Sequence, residues 1–556
     1  MAGPIDSTNA LTQAMPQAGI APAGPAPIAA TPIAETPTAE THATPYAWYG
    51  LGILFLVYVL NFIDRQIITI LAPDIKADLN LDDADIGFLY GTAFAVFYAL
   101  FGIPLGRLAD SWSRVRLLAL GLAVWSTMTA LSGFARNGTM LGLARMGVGV
   151  GEATASPAAY SLISDMFPKR MRGTALAIYS AGLYFGGGIS LMIGGFIVAG
   201  WNNAYPGGGP WGLVGWQAAF LAVGLPGLLL AIWVATLREP VRGLIDGLPT
   251  QPAAEPFRGF LQELFAVIPP FTLFSAARRG SAAFATNIAA IAVLALAAWA
   301  LIALTGATLQ WICVAVGYYA VFSWATSLRG RDAATFALIW GSPAFLYTIL
   351  GYGCVAFMSY ASTAFGPSYA REILGESTAR IGLWVGGLSA ASGFLGVIMG
   401  GRMSDWLHAR SQSGRILVIA FGLLAPVIPI ALAFTTTNDP GSDTDFMRFT
   451  IFVSLANLLA SSALGAAAAT TQNLVMPRMR GTATATFFLA TTLFGLALGP
   501  YLAGQISVVS GSLSTGVLSI LVIVPFGLAL LFAAYRTVPL AERTVVERAR
   551  AAGEAV

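Results

Sequence analysis

Charge is what this chain has least of. Only 10% of its 556 residues are charged, whereas soluble domains carry about 25%. Water is therefore not its main solvent. It has two lysines, Lys76 and Lys169, and two histidines, His42 and His408. A phosphate-binding loop needs Gly-Lys-Ser/Thr, but Lys76 follows Ile75 and Lys169 follows Pro168, which excludes ATP drive. Neither histidine falls in an apolar run, and no nucleophile–base pair or metal-ligand spacing occurs. An enzyme, a metal centre and a cofactor are not expected. The two cysteines, Cys313 and Cys354, lie inside apolar runs and read as small packing residues, not as a disulfide framework. Gly147 to Gly151 follows no strand, so it fails the context test for a nucleotide loop. The net charge of +3 is small, and no nucleic-acid partner is expected.

What the chain has is apolar length. Hydrophobic residues make up 56% and mean hydropathy is +0.73. Runs of about 20 apolar residues recur, enough to cross a bilayer as helix. Six are expected at 47–72, 84–109, 115–135, 139–166, 173–200 and 213–237. Six more are expected at 340–366, 381–404, 415–435, 447–475, 482–508 and 513–536. Two further runs, 284–305 and 308–327, read as a hairpin that crosses and returns, giving about 14 transmembrane helices. Phe257 to Ile268 reads as an amphipathic segment on the cytoplasmic surface.

Two motifs repeat in the same order. Gly106-Arg107-Leu108-Ala109-Asp110 returns as Gly401-Arg402-Met403-Ser404-Asp405, and Met171 to Ala175 returns letter for letter as Met479 to Ala483. The chain is thus an all-α integral membrane protein made of two parallel six-helix halves, 46–240 and 336–540. A linker, 241–335, carries the hairpin 284–327. Residues 1–45, rich in Ala, Pro and Thr, read as a disordered tail, and 541–556 as a second tail. Basic clusters fall in alternate loops (Arg114 and Arg116; Lys169 to Arg172; Arg238 and Arg242; Arg402 to Arg415; Arg478 and Arg480), with neutral or acidic loops between them. By the positive-inside rule both termini are cytoplasmic, in what reads as a bacterial inner membrane. Repeats of this kind are typical of secondary transporters.

The run Gly106 to Arg116 resembles the loop 2–3 signature of the major facilitator superfamily, and Gly401 to Asp405 is a shorter copy. Asn61 to Gln66, with its Asp-Arg pair, and Gly149 to Ala153 resemble the spinster-like branch. The resemblance covers roughly 46–240 and 336–540, and the hairpin departs from it. It implies the major facilitator fold and alternating access. It also implies coupling roles for Asp64 and Glu152, and a latch between the halves at Gly106, Asp110, Arg114 and Arg116, mirrored by Gly401 and Asp405.

Charges at bilayer depth are costly and usually functional. In the first half they are Asp64, Arg65, Arg145 and Glu152, which sum to zero. One reading is a static salt-bridge set; the other is proton coupling, in which a carboxyl group gains and loses a partner Arg during the cycle. Neighbours Asp64 and Arg65 differ by about 100° on a helix and cannot face the same way. The second half offers Tyr352 and Tyr360 in its first helix and Asn457 in its fourth. A cavity charged on one wall and aromatic on the other suits an amphipathic or lipid-like organic solute. The expected function is a monomeric proton-coupled secondary transporter whose partners are that solute, protons and the bilayer. The alternatives are an organic-anion:proton symporter and a non-transporting receptor on the same fold.

Overall fold

The structure, a computed structural model, describes residues 43–246, 255–436 and 443–554. Most of the expected N-terminal tail, including His42, and part of the Asp439–Asp445 loop lie outside the described residues. Within them the chain is helical, with no strand. A bilayer leaves no water for backbone groups, and a helix satisfies them all internally.

The first half comprises α1 (Pro45–Leu79), α2 (Asp83–Ser111), α3 (Arg114–Ser132), α4 (Gly138–Glu152), α5 (Ala155–Met166), α6 (Lys169–Ala204) and α7 (Gly215–Ala235). The linker holds α8 (Pro256–Val267), α9 (Phe271–Arg279), α10 (Ser281–Thr305), α11 (Thr308–Arg331) and α12 (Ala333–Ile339). The second half is α13 (Pro343–Glu372), α14 (Thr378–His408), α15 (Gly414–Phe434), α16 (Asp443–Asn473), α17 (Pro477–Ser510) and α18 (Leu513–Arg543), followed by α19 (Val545–Ala551). Thirteen of these helices are long and apolar enough to span a membrane. α4 and α5 are each too short, but Ala153 and Thr154 between them keep helical angles (φ −60° and −77°). Together they form one broken span, which brings the architecture to the expected fourteen.

The duplication is visible in the packing. α1 packs on α6, α2 on α4 and α3 on α7; the same pairs recur as α13–α17, α14–α16 and α15–α18. Lipid gives no hydrophobic drive for helix association, so close approach of small residues matters. The Gly147/Gly151 pair serves this purpose: a Cβ at Gly151 would stand 2.7 Å from the backbone nitrogen of Trp125 on α3. The halves meet along two seams, α2–α17 and α6–α14. Each seam contains wide π-helical turns, at Phe88–Thr92 and Ala490–Leu496 on one and Gly382–Gly386 on the other. Such turns are rare and frequent at functional sites.

α8 packs against the basic-loop end of α2 and against α11. Phe257 meets the Trp112 ring at 5.4 Å, and the Ala266 carbonyl accepts from Ser323 Oγ of α11 at 3.2 Å. The chain then bends 94° into α9. The hairpin is also asymmetric: 6% of the most apolar stretch of α10 is buried, against 61% for α11. α11 lies across the α2–α17 seam, with Gly317 facing both Val96 and Leu493. Its core includes a polar knot in which Tyr319 Oη lies 3.1 Å from Thr272 Oγ1 and 3.2 Å from Asn287 Oδ1.

Candidate functional site

α1 is continuous through the middle of the first half, so Asp64 and Arg65 project from different faces, as the helical angle requires. Arg65 turns toward α2 and α4. Its Nη2 donates to Glu152 Oε2 at 2.7 Å and its Nε to the same oxygen at 3.2 Å. Its guanidinium sits 4.4 Å from the Phe94 ring centre, 4.7 Å from Phe62 and 5.3 Å from Tyr98. Aromatic faces favour a cation there.

Arg145, fully buried, does not pair with a carboxylate. Its Nη1 donates to the Asp64 carbonyl at 2.9 Å and its Nη2 to the Arg65 carbonyl at 3.4 Å. Arg145 thus clips α4 to the backbone of α1, and Glu152, seven residues on, clips it to the Arg65 side chain. Asp64 is left alone. It is fully buried, and neither carboxylate oxygen accepts a hydrogen bond. A buried carboxylate with no hydrogen bond is costly in its ionised form.

Around Arg65 the structure gathers first-half tyrosines that were not singled out in the sequence, together with Tyr360. Tyr58 stacks on Tyr179 at 4.3 Å, and Tyr160 meets Tyr179 edge-on at 5.5 Å. Tyr98 and Tyr360 stand close enough to act electrostatically on Arg65. Tyr360 therefore approaches the charged wall from the second half. Tyr352 stacks on Phe487 at 5.0 Å within the second half. Asn457 is engaged elsewhere: its amide donates to the Ser389 carbonyl at 2.8 Å and to Ser392 Oγ at 3.1 Å, tying α16 to α14.

The latch residues divide. Gly106, Asp110 and Arg116 sit at the basic-loop end of α2 and the start of α3. Gly401 and Asp405 occupy the corresponding place on α14. Arg114 is fully buried and binds within its own half: Nε to Glu239 Oε1 at 2.8 Å, Nη1 to Ser161 Oγ at 2.8 Å and to Asp165, and Nη2 to the Pro240 carbonyl at 2.8 Å. It is a clamp joining α3, α5 and the chain after α7. Burial raises the Glu239 pKa, but donors from Val115, Arg114 and Ser113 outweigh it and hold the carboxyl below its ordinary value. Arg242 caps α2, donating to the carbonyls of Asp110 and Ala109 at 2.6 Å each. Those carbonyls have no partner within the helix.

The opposite, acidic-loop end carries ionic contacts between the halves. Both α1 and α13 run beyond their expected ends, and this places Asp74 and Lys76 opposite Arg371 and Glu372. Arg371 pairs with Asp74, its Nη2 2.9 Å from Oδ1. Lys76 Nζ lies 2.6 Å from Glu372 Oε1 and 2.7 Å from Asp83 Oδ1. Asp83 in turn accepts from Ser507 Oγ of α17 at 2.6 Å. Deeper along the same seam, Thr92 Oγ1 donates to the Ala497 carbonyl at 2.7 Å.

Comparison with known proteins agrees with this arrangement. The sequence profile of the Major Facilitator Superfamily matches residues 54–500. An MFS-type efflux pump of Mycolicibacterium smegmatis is 26% identical over 466 residues, covering 84% of this chain and 86% of that protein. Protein spinster homolog 1 of Xenopus laevis is 26% identical over 470 residues, covering 82% and 72%. The crystal structure of a bacterial homolog of the human lysosomal transporter Spinster, inward-facing and unoccupied, aligns with a TM-score of 0.63 at 25% identity, covering 91% of this chain and 99% of that one. With its profile match over residues 54–500 and its spinster relatives, this chain belongs to the spinster-like branch of the Major Facilitator Superfamily of transporters.

Proposed function

We propose that the protein is a proton-coupled secondary transporter of an amphipathic organic or lipid-like solute, and that Asp64 carries the proton. The observation that carries this reading is the isolation of Asp64. Of the two deep carboxylates, Glu152 is held by Arg65, whereas Asp64 is buried with no hydrogen bond. A neutral acid in the present state becomes a carboxylate once the helices move and water or a cation reaches it. The sequence reading gave Glu152 the same role; its ion pair makes it the partner that keeps Arg65 in place.

The solute class rests on the walls. The charged wall is screened by aromatic rings. Phe185, Gly387, Ala390, Ala391, Phe394 and Leu395 form a wholly apolar groove between α6 and α14. An apolar tail fits such a groove. Both deep arginines are engaged, so a small organic anion would first have to break the Arg65–Glu152 pair. The basic-loop end is read as cytoplasmic, which makes the conformation inward-facing, sealed at the far side by the Asp74–Arg371 and Lys76–Glu372 pairs.

The test has two steps. A thermal-shift screen against lysolipids, organic acids and apolar drugs selects a solute. Accumulation of that solute is then measured in proteoliposomes under an imposed pH gradient. Asp64→Asn is expected to abolish gradient-driven accumulation while leaving solute binding intact. Full accumulation by Asp64→Asn refutes the coupling role.

A further inference from the structure

Trp125 of α3 stands beside the proton site. It is fully buried, and its indole N–H has no hydrogen-bond partner. Asp64 is the complementary case, with two acceptor oxygens and no donor. The Trp125 indole N–H is directed at the Asp64 carboxyl group, in a geometry looser than that of a formed hydrogen bond. Its position is fixed by packing: its backbone nitrogen and Cβ fill the space where a Cβ of Gly151 would be, at 2.7 and 2.8 Å. Gly151 immediately precedes Glu152, so the ring is anchored against the α4 turn that holds the Arg65 pair.

A buried orphan donor costs about 1–3 kcal/mol, and native structures contain few of them. An orphan donor facing an orphan acceptor is the signature of a bond made in another state. We propose that Trp125 is the positioning residue for the proton site: its indole N–H hydrogen-bonds the Asp64 carboxylate when the proton leaves, and lets go when the proton returns. This rests on the proton-coupling reading and adds the group that receives the ionised form.

The other groups around Asp64 are mostly committed elsewhere. Glu152 of α4 is paired with Arg65, and Arg145 of α4 spends two donors on the α1 carbonyls, while its Nε, like the indole N–H, has no partner. Ser190 of α6 donates to the Ile63 carbonyl at 2.9 Å. Among the described residues, α3, α5, α6, α7 and α13 bring no further charged group to Asp64. A hydrogen bond to the charged form favours that form. Losing the indole N–H therefore makes Asp64 hold its proton to higher pH.

The experiment uses the full chain in detergent and needs no transported solute. A fluorescent hydrophobic carbodiimide labels buried carboxyl groups only when they are protonated. Labelling that Asp64→Asn removes reports Asp64, and its pH midpoint is read directly. Trp125→Phe keeps an aromatic ring and deletes the donor. It is expected to raise the midpoint by about one pH unit, a tenfold change in proton affinity. An unchanged midpoint overturns the proposal. If Trp125→Phe does not fold, the wild-type Trp125 indole resonance decides. Movement with pH that Asp64→Asn abolishes supports the bond; a stationary resonance overturns it. Accumulation that survives Asp64→Asn would instead sink proton coupling itself, while the labelling assay would still report the hydrogen bond.

Discussion

Removing the ionic contacts at the acidic-loop end should open the molecule there. Two pairs join the halves, Asp74–Arg371 and Lys76–Glu372, with side chains 17–33% exposed. Exposed pairs are worth up to about 1 kcal/mol each and fully buried ones more. These are intermediate, so about 1 kcal/mol apiece is the working value. Losing both shifts the equilibrium by about 2 kcal/mol, or roughly 30-fold. The perturbation is Arg371→Ala with Glu372→Ala, which leaves the first half untouched. Asp83 still holds Lys76, so the lysine is not stranded. Spin labels at Asn80 and Gly375, near the ends of α1 and α13, are expected to show a longer distance at that end in the double variant. The exchange Asp74→Arg with Arg371→Asp should restore the short distance. A distance unchanged by the double variant would show that the seam is held by backbone packing, such as that of Gly91 against Leu496, and that the ion pairs are incidental.

Arg114→Ala removes the buried clamp and strands Asp165 and Glu239; a loss of about 3 kcal/mol is expected, read as a lower melting temperature and poorer yield. Asp332 sits between Arg478 and the N-terminus of α12, and the Arg478 guanidinium beside it holds its carboxyl at about 2. A depressed carboxyl contributes stability above its unfolded pKa of about 3.9 and loses it as pH falls toward 2. The wild-type melting temperature relative to Asp332→Asn should therefore be constant between pH 5 and 8, and the difference should vanish only below about pH 4. Tyr319→Phe removes the hydroxyl that joins α9, α10 and α11. Faster protease cutting within 255–335 is expected, with the two halves unaffected.

The legible parts were those with a local signal. Apolar length gave the spans, the repeated Gly-Arg and Met-Arg-Gly-Thr-Ala stretches gave the duplication, and isolated charges in apolar runs gave Asp64, Arg65, Arg145 and Glu152. Which of these pair was not legible, because helical spacing places Arg145 and Glu152 on one face without saying what that face meets. The ionic contacts at the acidic-loop end were missed for a plainer reason. Both α1 and α13 were expected to stop before Asp74 and Arg371, since charged residues lower hydropathy, and the partners are 297 residues apart. The tyrosines of the first half read as ordinary apolar filling. Asn457, expected at the cavity, has its amide bonded to Ser389 and Ser392 of α14, partners that its position in its own helix did not name.

The hairpin bears on how alternation can occur at all. Its outer helix, α10, is lipid-facing, with Val293, Leu296, Trp299 and Leu304 exposed. Its inner helix is not. α11 touches α2 of the first half and α17 of the second, and beyond its end Asp332 is bound to Arg478, which also binds Glu554 of the chain terminus. Rocking of the halves must change the α2–α17 spacing, so α11 either follows one half or resists the motion. The direct contacts of α11 favour the second half: Tyr318 Oη donates to the Leu493 carbonyl at 3.5 Å, and the Trp311 ring meets Tyr501 edge-on at 5.5 Å. Toward α2 the surface is apolar, Val96, Ala99 and Leu100 against Ala320 and Trp324. Apolar contacts slide without leaving a polar group unpaired, whereas broken hydrogen bonds leave orphans. The hairpin should therefore travel with the second half and glide over α2. Replacing residues 280–332 with a polar linker would expose that face of α2 and loosen the base of α17, so the expected result is a destabilised transporter. A replacement variant with unchanged melting temperature and transport would show that α11 is a passenger on both halves.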